Sequence, residues 1–334
     1  MTMNRFAYAK ATSIDEAVSV LDGTCRPLAG GTDLVAMMKD DLTSPDRLVS
    51  IKTIPGLDHV GLRADGWHIG ALTTLAALAS ATELAEVPGM ACLVAAAAHS
   101  ASPQLRHMAT LGGNLLQRPR CWYFRNPKVP CWRKGGDRCY AIVGQNQYHT
   151  ILGRSPCVAV HPSDPSVALL ALDASVQIAG PRDRRLVRLA KFYQPPSREV
   201  QMADGYRPVT VLAPDELITE IIVPVPPEGS RSIYVKKMER GAWDFALVSV
   251  AASLVMAKDS TVETARVALG GVANVPWRAA DAEAVLTGKA LDGDRIAAAA
   301  DAAVADARAL EHNGYKIDLV KAAVREALQA LGGA

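Results

Sequence analysis

Apolar positions along this chain change period several times, and those changes mark out its elements. Ser13 precedes an apolar face of Ala17, Val18 and Leu21, with Glu16 three residues after it, which predicts a capped helix opening at Ser13. The stretch RPLAGGTDLVAMMK (26–39) reads as an apolar approach, a Gly-Gly turn and a helix from Asp33 to Lys39. Alternating runs in RLVSIKTI (47–54) and HVGLRADGWHIGALTTLAAL (59–78) predict strands joined by tight turns. Met90 to Ala101 is Ala-rich and predicts a buried helix ending at Ser102-Pro103, because proline disfavours the helical conformation of the residue before it. From Thr110 to Ser163 periodicity fades, and a long irregular segment inside a compact domain is usually functional or disordered. Helical spacing resumes at Pro165–Leu172. PVPPEG (224–229) is the strongest break, and beyond it residues 233–256 and 261–273 predict strands before two Ala-rich helices. The mixture predicts an α+β fold.

Composition narrows the function classes. A chain of 334 residues has room for two or three compact units. With 49% hydrophobic and 21% charged residues it belongs among globular proteins, and with 5% aromatic residues its core must be mainly Ala, Val and Leu. A net charge of +2 gives no reason to expect a nucleic-acid partner. No window approaches the ~18 uninterrupted apolar residues of a membrane span. Residues 1–23 carry charges where a secretory leader needs ~7 to 15 apolar residues, so no signal peptide is expected there.

The irregular zone holds RPRCWYFRNPKVPCWRKGGDRC (118–139). Cys121, Cys131 and Cys139 are separated by 10 and 8 residues, and Cys157 follows 18 later; none of these is the short gap of a zinc ribbon or ferredoxin run. Four thiolates on an irregular loop can still close around a metal or a cubane and thereby order the loop. Arg118, Arg120, Arg125, Lys128, Arg133, Lys134 and Arg138 face only Asp137 in sequence, and such an excess suits a negatively charged cluster. Gly135-Gly136 is expected to bring peptide N–H groups to a sulfur, and Trp122, Tyr123, Phe124 and Trp132 to shield the site. Disulfides would need an oxidising compartment. Simple burial accounts for Cys25 and Cys92. A basic aromatic loop that stacks single-stranded nucleic acid would leave the cysteines without a role.

Two Gly-Gly turns, in Leu28–Asp33 and Thr110–Asn114, allow close backbone approach to an anion such as a pyrophosphate, although neither has Rossmann spacing. Taken in order, AGGTDL, TLGGNLLQRPRCWYFR, HPSDPSVALLALDA, YVKKMERGAWDFALVSVAA and ALGGVANVPWRA resemble the FAD-binding (medium) subunits of molybdenum hydroxylases, the xanthine dehydrogenase family, over the full chain. The insertion before SPC, with KGGDRC and NQYHTILG, resembles the branch with an extra 4Fe-4S cluster, as in periplasmic aldehyde oxidoreductase and 4-hydroxybenzoyl-CoA reductase.

The resemblance implies a vanillyl-alcohol-oxidase-like FAD fold: α/β subdomains at 1–60 and 61–226, a 4Fe-4S-binding insertion at about 118–158, and an antiparallel sheet-and-helix domain at 227–334. Ala29, Gly30, Gly31, Thr32, Asp33 and Leu34 would wrap the pyrophosphate of a non-covalent FAD, completed by Thr110, Gly113 and Asn114. Asp164 would accept hydrogen bonds from the adenosine. Lys236, with Lys237 as the alternative register, and Asp244 would lie near the flavin ring. Cys121, Cys131, Cys139 and Cys157 would ligate the cluster, with His149 the substitute for Cys157. The implied function is electron transfer within a heterotrimeric molybdenum hydroxylase, an aldehyde oxidoreductase. Its partners would be a large molybdenum-cofactor subunit, a small 2Fe-2S subunit and an external acceptor. No residue of this chain would be catalytic, and the cluster and flavin sites are expected to be independent. The compartment would be the periplasm, by co-export with a signal-bearing partner, or the cytoplasm. The alternative is a stand-alone FAD-dependent oxidase of the vanillyl-alcohol-oxidase type.

Overall fold

The computed structural model describes residues 3–153, 155–200, 202 and 205–332. Three sheets carry the chain. The first is parallel, in the order β1 (Ala7–Lys10), β3 (Arg47–Ser50), β2 (Cys25–Leu28), with the helices Ile14–Ser19 and Leu34–Lys39 between its strands. The predicted cap forms, since Ser13 Oγ accepts the Glu16 N–H at 3.1 Å. The Glu16 carboxylate in turn accepts the N–H of Thr12 at 2.7 Å, so the box closes one residue early.

The second sheet is antiparallel: β4 (Val60–Arg63), β5 (Gly66–Gly70), β8 (Leu217–Val223), β6 (Ser175–Ala179) and β7 (Arg184–Arg188), in that spatial order. The helices Ala91–Ala98 and Asp164–Ala171 contribute to the core that it shares, and every residue of the latter is buried. The Ala-rich helix stops before Ala101, which takes φ 49°, and Pro103 opens the next helix, Pro103–Met108. The sequence reading had proline ending a helix. At a first helical turn, however, its missing N–H is no loss, and Ser102 Oγ caps Leu105 N at 3.3 Å.

The C-terminal sheet runs β12 (Trp277–Arg278), β11 (Val262–Gly270), β10 (Val248–Met256), β9 (Ser230–Lys237), all antiparallel. Strand alternation gives it two uses: Val248, Val250, Ala252 and Leu254 enter the core made with the final helices, whereas Ala251 enters the core of the second sheet. Three helices follow, Ala280–Leu286, Gly293–Ala302 and Tyr315–Gly332, one more than expected. The first spans only seven residues, too few for its period to stand out. The expected α+β class and C-terminal sheet domain are both present.

Lys316 pins this domain to the irregular zone. It is fully buried, and Nζ donates to the carbonyls of Gly271 at 2.8 Å and His149 at 3.2 Å. Burial lowers its pKa from 10.5 to about 7. Between those values the unfolded chain binds more protons than the folded one. Stability due to this group therefore rises with pH across that window and is lost as pH falls towards 7. Lys316→Met is expected to flatten this rise, measured as the urea midpoint between pH 7 and 10; an unchanged slope would contradict the assignment.

Candidate cofactor site

Two clefts lie along the joint between these units. Residues Ala29 to Leu34 form one wall of the first, and Thr110 and Gly113 line it as well. The two Gly-Gly turns do different work. The N–H groups of Gly30, Gly31, Thr32, Asp33 and Leu34 make no hydrogen bond among the described residues, which leaves a run of free donors at the cleft. Gly31 sits at φ 72°, and a Cβ on Gly30 would stand 1.8 Å from the Met108 carbonyl oxygen. In the second turn the donors are already used: Leu111 N bonds Thr73 O, Gly112 N bonds Ala71 O, Gly113 N bonds Thr110 Oγ1 and Asn114 N bonds Thr110 O. Thr110 and Gly113 therefore shape the cleft without donating peptide N–H groups. Asn114 accepts from Ser163 Oγ at 2.6 Å, and Ser163 lines the second cleft.

Asp33 ties the first turn to the cysteine segment. Its carboxylate accepts Arg118 N–H at 2.7 Å and Arg125 Nη2 at 2.7 Å, with Arg120 Nη2 at 3.0 Å. Burial alone would raise its pKa, but Arg120, Arg125 and the Arg118 N–H outweigh burial and hold the carboxyl below its ordinary value.

Asp164 lines the second cleft, and both of its oxygens are bonded inside the chain, to Tyr234 Oη at 2.5 Å and Lys236 Nζ at 2.9 Å. It acts on a ligand mainly by fixing Lys236. The register of the lysine pair is clear: Lys236 points inward, also donating to the carbonyls of His99 and Asp244 at 2.9 Å, whereas Lys237 pairs outward with Glu326. Asp244 lies at the same cleft.

The six cysteines are free thiols. Cys25 and Cys92 are buried in separate apolar clusters. Cys121, Cys131, Cys139 and Cys157 come together. Burial raises the first three thiols, Cys121 up to about 12, and each is raised further by Cys157. Nearby peptide N–H groups act the other way and lower them, those of Phe124 and Tyr123 at Cys121, Lys134 and Arg133 at Cys131, and Val158 and Ala141 at Cys139, although Lys134 N–H also bonds the Cys131 carbonyl at 2.9 Å. Gly135 and Gly136, expected to do this, instead bond the carbonyls of Trp132 and Cys131 and make the tight turn. His149 Nε2 lies 3.2 Å from Cys121 Sγ, and its Nδ1 is buried without a partner. Trp122 meets Tyr148 and His149 edge-on, at 5.6 and 5.7 Å. Among the described residues no three His, Cys, Asp or Glu converge on a single metal ion.

Sequence reasoning missed Tyr234, His161 and the individual role of Arg133. Tyr234 could have been found from strand alternation, because it shares a face with Lys236.

A pair of clefts, the first with a run of free peptide donors, suits an extended, doubly charged dinucleotide. Residues 4–226 match the family described as the FAD binding domain in molybdopterin dehydrogenase. The chain belongs to this flavoprotein family. Residues 233–331 of the flavoprotein match the CO dehydrogenase flavoprotein C-terminal domain. It is 37% identical over 325 residues to the aldehyde oxidoreductase FAD-binding subunit PaoB of Escherichia coli, covering 96% of each chain. It is 32% identical to the carbon monoxide dehydrogenase medium chain of Afipia carboxidovorans, over 92% of this chain and 89% of that one. Its fold matches solved carbon monoxide dehydrogenase from Hydrogenophaga pseudoflava with a TM-score of 0.75 at 27% identity, covering 100% and 99% of the two chains. The protein is an oxidoreductase subunit of the molybdenum hydroxylase type that binds FAD.

Gly31→Val is expected to abolish FAD retention, because a β-branched residue at positive φ distorts the donor run. Gly113→Val should do so by pressing on Thr110 Oγ1, 3.0 Å from the added Cβ. The check is the flavin-to-protein absorbance ratio after gel filtration, with circular dichroism to verify folding; full flavin occupancy in both would sink the assignment.

Proposed function

We propose that this flavoprotein is the FAD- and 4Fe-4S-containing electron-transfer subunit of a heterotrimeric molybdenum hydroxylase that oxidises aldehydes. Its partners are a large molybdenum-cofactor subunit, a small 2Fe-2S subunit and an external electron acceptor. The observation that carries the reading is that Cys121, at the second cleft, lies near Cys139 and Cys157, with Cys131 near both of these, and that peptide N–H groups act on the sulfurs of Cys121, Cys131 and Cys139. A neutral thiol is a weak acceptor, whereas a metal-bound thiolate makes full use of such donors. The aldehyde assignment is supported by the likeness to PaoB, named as an aldehyde oxidoreductase subunit.

FAD and the cluster supply two-electron and one-electron chemistry when bound. The chain's part is binding and tuning. The free N–H groups of residues 30–34 hold the diphosphate, and Lys236 ties together Asp164 and Asp244, which line the second cleft. Lys134 lies close enough to Cys131 and Cys121 for each thiolate charge to raise its pKa, although burial has the larger, lowering effect. Cys157 completes the ligand set, with His149 as its substitute. No side chain here acts as nucleophile or general base on the substrate.

Purified alone, the chain is expected to turn over neither aldehydes nor purines, and to support dye reduction by aldehydes only with its partner subunits. Aldehyde oxidation by the isolated subunit would overturn the reading in favour of a stand-alone oxidase.

A further inference from the structure

Arg133 is 2% exposed, and its Nε, Nη1 and Nη2 all lack a hydrogen-bond partner. Its guanidinium carbon lies 5.9 Å from the Phe124 ring centroid. Among the described residues, no other buried side chain leaves three donors unused in this way. A guanidinium buried without acceptors is strongly unfavourable, so the position makes physical sense only when an anion is nearby.

Among the described residues, the carboxylates at the first cleft, Asp33 and Glu216, are already paired. Arg118 feels Arg133, Arg26 and Arg125 as like charges, and its counter-charge, Asp33, is already engaged by Arg120 and Arg125. Glu216, also at the first cleft, is paired with Arg185 at 2.8 Å. Arg133 lies within electrostatic reach of Arg118, which lines the first cleft, and of His161, which lines the second. Burial first, then Arg133 and Arg118, lower the pKa of His161 to about 3, so it stays neutral and adds no like charge. On the cysteine side, Lys134 is the cation felt by Cys131. Arg133 lines neither cleft itself, but Phe124 beneath its guanidinium shares an apolar cluster with Met37 and Tyr206 of the first cleft, so its uncompensated charge stands behind that cleft's wall.

We infer that Arg133 supplies the buried counter-charge for the FAD diphosphate, so that the cysteine segment takes a direct part in holding the flavin cofactor. The inference rests on FAD binding and not on the cluster. It revises the expected independence of the two sites: Arg133 follows Cys131 by two residues, and its backbone N–H acts on that sulfur. Anything that disorders Cys131 also displaces the diphosphate's cation.

The test is titration of FAD into the deflavinated full chain. Arg133→Met is expected to raise the dissociation constant roughly 10- to 100-fold, the worth of one charge-assisted contact, and Arg133→Lys to raise it less. Iron content should equal that of the unaltered chain. The rise in melting temperature on adding FAD should shrink, while the flavin-free Arg133→Met chain melts no lower than the flavin-free parent, having lost an uncompensated buried charge. Arg133→Gln carries the same test should the Met variant not be recovered folded. Unchanged FAD affinity overturns the inference, as does loss of iron with FAD affinity intact, which would assign the charge to the cluster. Failure of the parent chain to take up FAD would instead remove FAD binding itself.

Discussion

Lys236→Met is expected to lower the unfolding free energy by about 3–5 kcal/mol, the usual cost of leaving one member of a buried ion pair alone. The Lys236 side chain is 1% exposed and that of Asp164 7%, so water screens neither. The substitution would strand the Asp164 carboxylate with Tyr234 as its main remaining donor, and would also free the carbonyls of His99 and Asp244. Because Asp164, His99 and Asp244 come from three separate segments, the second cleft should lose its shape and much of its flavin. Chemical denaturation of the full chain measures the loss. Adding Asp164→Asn to Lys236→Met should restore part of it by removing the stranded charge. A loss below about 1 kcal/mol, the range of an exposed pair, would show that the pair is not buried in solution.

The second large effect concerns Cys131→Ser. In the proposed cluster the segment's order comes from metal–sulfur bonds more than from apolar periodicity, so losing one ligand should release the whole segment. About four irons per chain should disappear, the content of one cubane. FAD should remain bound but more weakly, because Arg133 loses its anchor. Cys25→Ser and Cys92→Ser are controls that should keep their iron, as each of those thiols is buried in an apolar cluster away from the segment. Retention of iron by the Cys131→Ser chain would remove Cys131 from the ligand set.

Much of this was legible from residue patterns. The strands of the C-terminal sheet followed from alternation in residues 233–256 and 261–273, because a sheet buried on both faces still separates large from small side chains. The helix after Gly30-Gly31 followed from turn chemistry. Pro103 was misread because a proline can close one helix or open the next, and only Ala101 at positive φ distinguishes the two. The Thr110–Asn114 turn looked like a second anion cradle because glycine composition does not reveal which N–H groups are already bonded to Thr73, Ala71 and Thr110. Gly135-Gly136 misled for the same reason: the donors at the sulfurs come from residues next to each cysteine and from Val158 across the loop. Arg133 was one of seven cations in a string, and its singular environment depends on contacts distant in sequence.

The account's central claim is that one chain holds both FAD and a 4Fe-4S cluster. The direct measurement is the ratio of iron, acid-labile sulfide and FAD in the full chain purified without oxygen. The account predicts about four irons and four sulfides per FAD; a chain that carries FAD with no iron and no sulfide would contradict it.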